Sequence, residues 1–211
     1  MKKLFNAIRK NDIDSVKKII ESTPDVISCV SVGAPKKDEG QSPLQVALKA
    51  SSTEIVNYLL DVGADVNFME STGHWRAPVI HDAINRAIMC SRWNVNRCGE
   101  LEVFSTKKDA DEAFEILKKI ISLGADINAM DSVDNTPLNS PLSRACLQAR
   151  QILPRTNSDD DRVLTDELAS DISRIFKLII DSGADVNYVH PNTGKTCAED
   201  YANETLEIFL R

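Results

Sequence analysis

Apolar residues recur at helical spacing in three stretches of the chain, and the same short phrase follows each stretch. The stretches are EIVNYLLDV (54–62), AFEILKKIISL (113–123) and ISRIFKLIIDS (172–182). Each carries apolar residues at i, i+1, i+4 and i+5, which form one stripe along a helix. The phrase that follows is GADVN, GADIN and again GADVN. Glycine suits the left-handed backbone that ends many helices, so the pattern predicts three amphipathic helices that end at this phrase.

A shorter helix is predicted upstream of the first phrase, in GQSPLQVALKA (40–50). Pro43 suits the first turn of a helix, and Leu44, Ala47 and Leu48 fall on one side of it. Residues 40–67 therefore form a turn, a short helix, a tight turn, a second helix and an extended exit. One such unit cannot bury its own apolar face, so it must stack on copies of itself.

These residues resemble the ankyrin repeat. The family's T-P-L-H-x-A is written here as SPLQVA (42–47), and its I-V-x-x-L-L-x-x-G-A-D-V-N as IVNYLLDVGADVN (55–67). The resemblance implies an all-α fold, an ankyrin-repeat solenoid of stacked helix–turn–helix pairs with hairpin-like turns between repeats. It also implies one domain over residues 1–211.

The distance from the motif leucine to the glycine shows where the regular repeat is interrupted. It is 19 residues in the first copy (63 − 44), but 44 in the next (124 − 80) and 41 in the one after (183 − 142). The family period is about 33 residues. The excesses predict insertions near 90–114 and 150–171, between the two helices of a repeat, and we call these two insertions together the ledge.

Weaker copies of the pattern close both ends of the chain. They are LFNAIRKNDIDSVKKII (4–20) and GKTCAEDYANETLEIFL (194–210), and terminal repeats are atypical because one face meets water. We therefore expect five repeats, at approximately 2–27, 38–67, 71–128, 131–187 and 191–211.

The ledge is expected to contain helices that extend beyond the regular stack, joined by long loops. The segment DELASDISRIFKLII indicates a long helix, and Ser158 with Asp161 is a candidate capping box at its start. Because the insertions belong to adjacent repeats, we expect them to pack side by side. Two interpretations stay open: simple drift in loop length, or a partner-specific surface, since such long loops are often functional.

In ankyrin proteins the hairpin tips between repeats, with the first helices, form a concave binding face. The resemblance therefore implies partner contacts on three tips, to which we add one tryptophan of the ledge. These candidates are Met69, Glu70, His74, Trp75, Arg76, Trp93, Met130, Asp131, Asp134, Tyr188, His190 and Asn192. Trp75 beside Arg76 is the strongest candidate, because Trp and Arg are enriched in binding hot spots. The alternative is that Trp75 covers the apolar side of its hairpin.

Composition and charge narrow the choice of partner. The chain is 42% hydrophobic and 27% charged, as expected of a folded protein, with a net charge of −7. An acidic balance argues against nucleic acid or an anionic membrane and favours a protein partner with a basic or neutral surface. No apolar run reaches the roughly 18 residues of a membrane span. Five cysteines without a CxxC pair indicate reduced thiols and a cytoplasmic location.

Two polar motifs resemble parts of known ligand-binding loops, but neither has the residues or spacing that such a loop needs. NTGKT (192–196) ends like a phosphate-binding loop, but Val189 stands where that loop needs its first glycine, and no strand is predicted before it. The acidic run at 159–161 lacks calcium-loop spacing and is expected to be a solvated loop or a helix start.

Histidine and cysteine residues give no stronger case for catalysis or metal binding. His74, His81, Cys90 and Cys98 are too widely spaced for a compact zinc site. His81 falls at the family's motif histidine, whose side chain usually supports a turn by hydrogen bonding. No signature of a cysteine nucleophile surrounds any of the cysteines. We therefore expect no cofactor and no metal.

Three hypotheses about function follow. The first is a monomeric, non-catalytic protein–protein interaction module that binds through its concave face, hairpin tips and insertions, with an inhibitor or immunity-type protein as one form. The second is an enzyme or small-ligand-binding protein that uses a pocket in the ledge near Cys90, Cys98 and Trp93. The third is a structural protein that self-associates through the ledge.

Overall fold

The computed structural model describes residues 1–33, 35–50, 52–156 and 160–211 and is mostly helical. Its α-helices are α1 (Lys2–Arg9), α2 (Ile13–Ser22), α3 (Pro43–Lys49), α4 (Thr53–Asp61), α5 (Val79–Met89), α6 (Lys107–Ser122), α7 (Pro141–Ala149), α8 (Asp166–Asp181) and α9 (Cys197–Asp200). Short 3-10 helices span Pro24–Ser28, Lys36–Asp38 and Thr205–Phe209. The strands are β1 (Trp75–Arg76), β2 (Asn94–Arg97), β3 (Glu100–Val103), β4 (Ser132–Val133) and β5 (Thr136–Pro137). The expected helical body is present, but an all-α description leaves out these strands.

The helices pack in pairs that contact one another in chain order. α1 lies against α2, α3 against α4, α5 against α6, and α7 against α8. The first helices of the pairs contact each other successively from α1 to α3, α5, α7 and α9, and the second helices do so from α2 to α8. One apolar core runs through all pairs and includes the predicted stripes, such as Ile55 with Leu59 and Ile116 with Ile120.

Local capping explains where several helices begin. The Ser42 hydroxyl accepts the Gln45 N–H while the Gln45 side chain accepts the Ser42 N–H, which forms a capping box ahead of Pro43. The long helix α8 begins at Asp166, the first residue of the predicted segment DELASDISRIFKLII, and the Thr165 hydroxyl caps it by accepting the Leu168 N–H at 3.2 Å. The predicted cap, Ser158, lies outside the described residues.

The repeated phrase links each repeat to the next. Its glycines at 63, 124 and 183 have φ of +87°, +93° and +94°, the left-handed conformation predicted for them. The Asn67 side chain donates to the Gly124 carbonyl at 3.0 Å and accepts the Asp126 N–H at 2.8 Å. This explains why the phrase recurs: its asparagine pairs with the backbone of the following copy.

The same pair of hydrogen bonds joins the second copy of the phrase to the third, and we call each such pair a rung. Asn128 donates to the Gly183 carbonyl at 3.0 Å and accepts the Asp185 N–H at 2.9 Å. Within each phrase the aspartate also accepts the asparagine N–H two residues on, as Asp126 does from Asn128 at 2.8 Å. Three copies therefore form two rungs, which hold the ends of α4, α6 and α8 together.

The last unit is smaller than the predicted helix pair. It consists of α9, only four residues long, and the 3-10 helix at Thr205–Phe209. Leu206 and Phe209 are buried, and the Phe209 ring lies 6.1 Å from that of Phe176 on α8. The unit covers the end of the core with one short layer.

The ledge is helical only in part. As expected, α6 and α8 are long, at 16 residues each against nine in α4. Residues 94–103, however, form an antiparallel hairpin of β2 and β3 rather than a loop between helices. The reason is local: Cys98 and Gly99 both take positive φ at its turn, and such turns match the twist of paired strands.

Candidate protein-binding surface

Two hairpin tips are joined in one small sheet. The tip between α4 and α5 contributes β1, and the tip between α6 and α7 contributes β4 and β5. Trp75 pairs with Val133 and Arg76 with Ser132 in antiparallel register, while β4 pairs with β5. Backbone hydrogen bonds therefore fix the position of one tip relative to the next.

A buried carboxylate holds the base of the first tip. Glu70 is only 4% exposed. It accepts hydrogen bonds from the Gln41 amide at 2.7 Å, the Lys49 ammonium at 2.8 Å and the Ala77 N–H at 3.0 Å. Glu70 was expected to contact a partner, but these bonds turn it inward, because the hairpin needs an acceptor for its buried N–H groups.

A second buried carboxylate does the same for the second tip. Asp131 is 0% exposed and accepts the Asn139 N–H at 2.7 Å and the Trp75 indole N–H at 2.8 Å. Asp131 is thus also placed inside the framework rather than on a surface open to a partner. Its bond to Trp75 ties the two tips together through side chains as well as backbone.

Trp75 and His81 complete this framework. The half-buried Trp75 ring lies under the Arg144 guanidinium, at 5.2 Å from its centroid. The His81 Nε2 bonds to the Ala129 carbonyl at 3.1 Å, the turn-supporting role predicted for it. Burial lowers the pKa of His81, so the ring is neutral at physiological pH. Trp75 thus has a structural role, and its exposed part is what a partner could reach.

The rim of the tips is polar and open to solvent. His74 and Asp134 are both exposed, and the His74 Nδ1 contacts the Asp134 carboxylate across the two tips. Arg76 donates to the Asn135 side chain at 2.6 Å. Asp134 and Asn135 have positive φ, which sets them at the turn between β4 and β5. The remaining candidates of these tips, Met69 and Met130, are half-buried.

The third tip is anchored to the second. The Tyr188 hydroxyl donates to the Leu138 carbonyl at 2.7 Å, and the His190 Nε2 lies 3.3 Å from the Asn139 side-chain oxygen. Asn192 is exposed. The residues of NTGKT belong to this turn, in which the His190 N–H donates to the Lys195 carbonyl at 2.9 Å. The structure therefore brings His190 and Tyr188 against the second tip and leaves Asn192 at the surface.

The two insertions of the ledge pack against each other, as expected. Asp171, which is 2% exposed, accepts hydrogen bonds from the Arg92 N–H at 3.1 Å and the Arg92 Nε at 2.9 Å. The Asn94 side chain bonds to both the N–H and the carbonyl of Val163, at 3.2 Å and 3.0 Å. Trp93 stacks on Phe104 with ring centroids 4.1 Å apart. The polar contacts thus fix the hairpin at the side of α8, and the stacked rings close its base.

A hollow of about 280 Å³ lies at the base of the first insertion, where the enzyme hypothesis would need its pocket. Cys90, Arg86 and Phe104 help to line it. Trp93 stacks on Phe104, whereas Cys98 lies exposed at the hairpin turn. Burial raises the pKa of the Cys90 thiol, which keeps it protonated and makes it a poor nucleophile.

Neither a metal site nor a membrane span emerges from the parts of the chain that the structure describes. Within residues 1–33, 35–50, 52–156 and 160–211, no three His, Cys, Asp or Glu side chains are grouped as metal ligands. In the same ranges, no helix has the length and apolar character to cross a bilayer.

Comparison with known proteins agrees with this architecture. The family model for the ankyrin repeat matches residues 39–70, which contain α3 and α4. One curated relative, BRCA1-associated RING domain protein 1 of Caenorhabditis elegans, is 34% identical over 83 residues. That match covers 39% of this chain and 10% of the relative, so the chain spans only a small part of that protein. Ankyrin repeats generally mediate protein–protein interaction. The chain therefore contains an ankyrin repeat at residues 39–70.

Proposed function

We propose that this chain is a non-catalytic protein-binding module whose partner contacts the rim of the hairpin tips and the ledge. The observation that carries this proposal is the fixed arrangement of the tips, in which buried Glu70 and Asp131 hold the hairpins while His74, Arg76 and Asp134 project from them. Side chains that are already ordered lose little freedom on binding, which keeps its entropic cost low.

In this proposal the five units form a solenoid, and the tips and first helices line its concave face. The repeated asparagine rungs support a stiff array, because each rung connects the end of one pair's second helix to the end of the next pair's second helix. Trp75, Arg76, Met69, Met130 and Tyr188 would then face the same partner. Trp93 would contribute from the ledge with its half-buried ring.

The charge of the chain favours a partner with a basic or neutral surface over nucleic acid or an anionic membrane. The net charge is −7, and complementary charge speeds association and excludes wrong partners. We place the module in the cytoplasm as a monomer that acts by blocking, bridging or sequestering its partner, and an inhibitor or immunity-type role is one such action. The name of the C. elegans relative describes association with another protein, which is consistent with a binding role.

Affinity capture with two matched baits tests the proposal. The first bait is the intact chain. In the second, Arg76 is changed to Ala and Asp134 to Asn, which alters the rim and leaves the buried acids in place. We expect one protein that binds the intact chain and binds the rim variant at least about tenfold more weakly, as for loss of a hot-spot residue.

Circular dichroism and thermal unfolding of both baits serve as the control, since the rim variant should fold like the intact chain. Equal retention of the partner by both folded baits would contradict the assignment to the rim. A small molecule or metal that copurifies in stoichiometric amount would favour the enzyme hypothesis, and a mass that rises with concentration would favour self-association.

A further inference from the structure

The outer strand of the ledge hairpin presents an unpaired edge. The Phe104 N–H donates to the Trp93 carbonyl at 3.0 Å, so Trp93 and Phe104 form a hydrogen-bonded pair. Such pairs alternate along an antiparallel ladder. In the register Asn94–Val103 and Asn96–Leu101, the backbone groups of Leu101 and Val103 therefore point away from β2. Two N–H and two C=O groups face outward from β3.

The opposite edge of the hairpin is already occupied. The Asn96 N–H, which points away from β3 by the same alternation, donates to the Asp161 carbonyl. The Asn94 side chain pairs with Val163 on that side. The second insertion thus covers β2, while β3 has no neighbouring strand within the described residues. The hairpin is fixed in place with one edge free.

The side chains of β3 indicate what could pair with it. Leu101 is 47% exposed and Val103 is 52% exposed, and both lie on one face of the strand. Glu100 and Glu102 alternate with them on the other face. Glu102 meets Arg97 at 3.0 Å, and both of these side chains remain exposed. The edge therefore combines an apolar row with an acidic row.

Pairing of β3 with a second copy of itself is opposed by charge. An antiparallel pair centred on Glu102 sets Glu102 opposite its own copy, and one centred on Leu101 sets Glu102 opposite Glu100. Like charges directly opposite each other destabilise a sheet. A strand with Lys or Arg in the same places would instead form cross-strand ion pairs.

We propose that β3 accepts an extended segment of a partner protein in which apolar residues alternate with Lys or Arg, added as a third strand to the hairpin. Backbone hydrogen bonds to Leu101 and Val103 supply affinity, and Glu100 and Glu102 select for basic side chains. This inference rests on the proposed function and specifies the binding mode of the ledge.

The first probe is a fluorescent, acetylated and amidated peptide of sequence Lys-Val-Lys-Val-Lys-Val-Lys. The matched control peptide carries Glu at each Lys position. Fluorescence anisotropy on the full chain should give a Kd on the order of 100 µM for the lysine peptide. The glutamate peptide should bind at least about tenfold more weakly. In NMR spectra the amide signals of Leu101 and Val103 should shift and exchange more slowly with solvent.

Leu101→Pro removes one outward N–H without touching the bonds between β2 and β3, a change that edge strands tolerate. It should weaken the lysine peptide about tenfold, whereas the matched Leu101→Thr, which keeps the N–H, should change affinity less than about threefold. The double change Glu100→Lys with Glu102→Lys should reverse the preference between the two peptides. Circular dichroism confirms that each variant folds.

No binding of the lysine peptide to the intact chain, or equal binding of both peptides, would overturn strand addition at β3. A concentration-dependent dimer that Leu101→Pro abolishes would also overturn it in favour of self-pairing. The proposed function is judged separately, by the partner's loss from the rim variant. A partner that still depends on Arg76 while the peptide does not bind would leave the function standing and remove only this inference.

Discussion

The second and third repeats share their ends and differ in their middles. In the second, α3 and α4 have seven and nine residues and a link of only three residues, 50–52. In the third, α5 and α6 have 11 and 16 residues, and the link 90–106 contains the β2–β3 hairpin. Both repeats nevertheless end in the same glycine turn, joined by the Asn67 rung. The repeat-to-repeat joints are thus kept uniform while the link between helices is free to vary.

Framework and recognition can therefore occupy separate parts of one repeat. The glycine turns and the buried acids of the tips have their partners within the chain. The ledge adds exposed apolar and acidic side chains at the opposite end of the helices, beyond the short link of the second repeat. Changes in the framework should therefore cost stability, and changes at the rim or the β3 edge should cost binding.

The largest effect on stability is predicted for Asp82, which lies where the third repeat contacts the second. Asp82 on α5 is fully buried, 3.4 Å from the Lys49 ammonium of α3. Burial raises the pKa of Asp82 to about 7, against the opposing effect of Lys49 and with a further rise from Glu70. The folded chain then keeps a proton that the unfolded chain releases near pH 4, so this group's contribution to stability falls as pH rises from about 4 to 7.

Asp82→Asn should remove that dependence. Relative to the wild type, the variant should gain on the order of 3 kcal/mol in free energy of unfolding between pH 4 and pH 7.5. Urea unfolding at several pH values measures this difference. A constant difference between the two proteins over that range would show that Asp82 is ionised throughout in the folded chain.

Loss of the contact between the two insertions of the ledge should lower the free energy of unfolding by nearly as much. Asp171→Ala removes the acceptor of the Arg92 side chain and backbone and leaves that guanidinium partly buried without its carboxylate. Loss of one partner from a buried pair costs about 3 kcal/mol. Asp111→Ala, which removes a more exposed partner of Arg174 on the same side, is the matched control and should cost clearly less. Equal melting temperatures for the two variants would contradict the anchoring role of Asp171.

The glycine turn of the third repeat is predicted to be intolerant of branching. Gly124 has φ of +93° with open space around it, so Gly124→Val should be strained by the backbone alone. We expect a loss of about 2 kcal/mol, and less than about 1 kcal/mol for Gly124→Asn, since Asn adopts left-handed geometry more readily. Differential scanning calorimetry of both variants tests this order, and an unchanged melting temperature for Gly124→Val would contradict the turn.

The smallest effect on stability is predicted for the asparagine rungs, where two equivalent asparagines can be compared. Asn128→Ala should lose two bonds to the next phrase and about 1 kcal/mol. Asn187 occupies the same position in the third phrase, where the described residues show no hydrogen bond from its side chain to another copy. Asn187→Ala should therefore be close to neutral. If both substitutions cost the same in urea unfolding, the rungs do not link the repeats.

Helical periodicity and the repeated phrase were enough to predict the helix pairs and their order along the chain. These features follow from local rules that a short window of residues satisfies. The β2–β3 hairpin was not predicted, because the resemblance to a helical repeat implies helices alone, although two short strands joined by the Cys98-Gly99 turn are compatible with these residues. The start of α8 at Asp166 agrees with the predicted segment, and its cap is Thr165, the residue directly before it.

The candidate site was predicted only in outline. The tips are where the family resemblance implied, but Glu70 and Asp131 turn inward. Their burial depends on which N–H groups of a neighbouring segment lack an acceptor, as Ala77 and Asn139 show. Such long-range pairing cannot be read from the spacing of residues along the chain. Trp75 belongs to both the framework and the rim for the same reason, because its indole N–H bonds to Asp131, a residue distant in the sequence.

Hydrogen exchange of the chain, alone and bound to the captured partner, tests the separation of framework and recognition most directly. We expect new protection at residues 74–76, 133–135 and 100–104, with the turns at 63–67 and 124–128 unchanged. Protection confined to the second helices, α2, α4, α6 and α8, with no change at the tips or at β3, would contradict it.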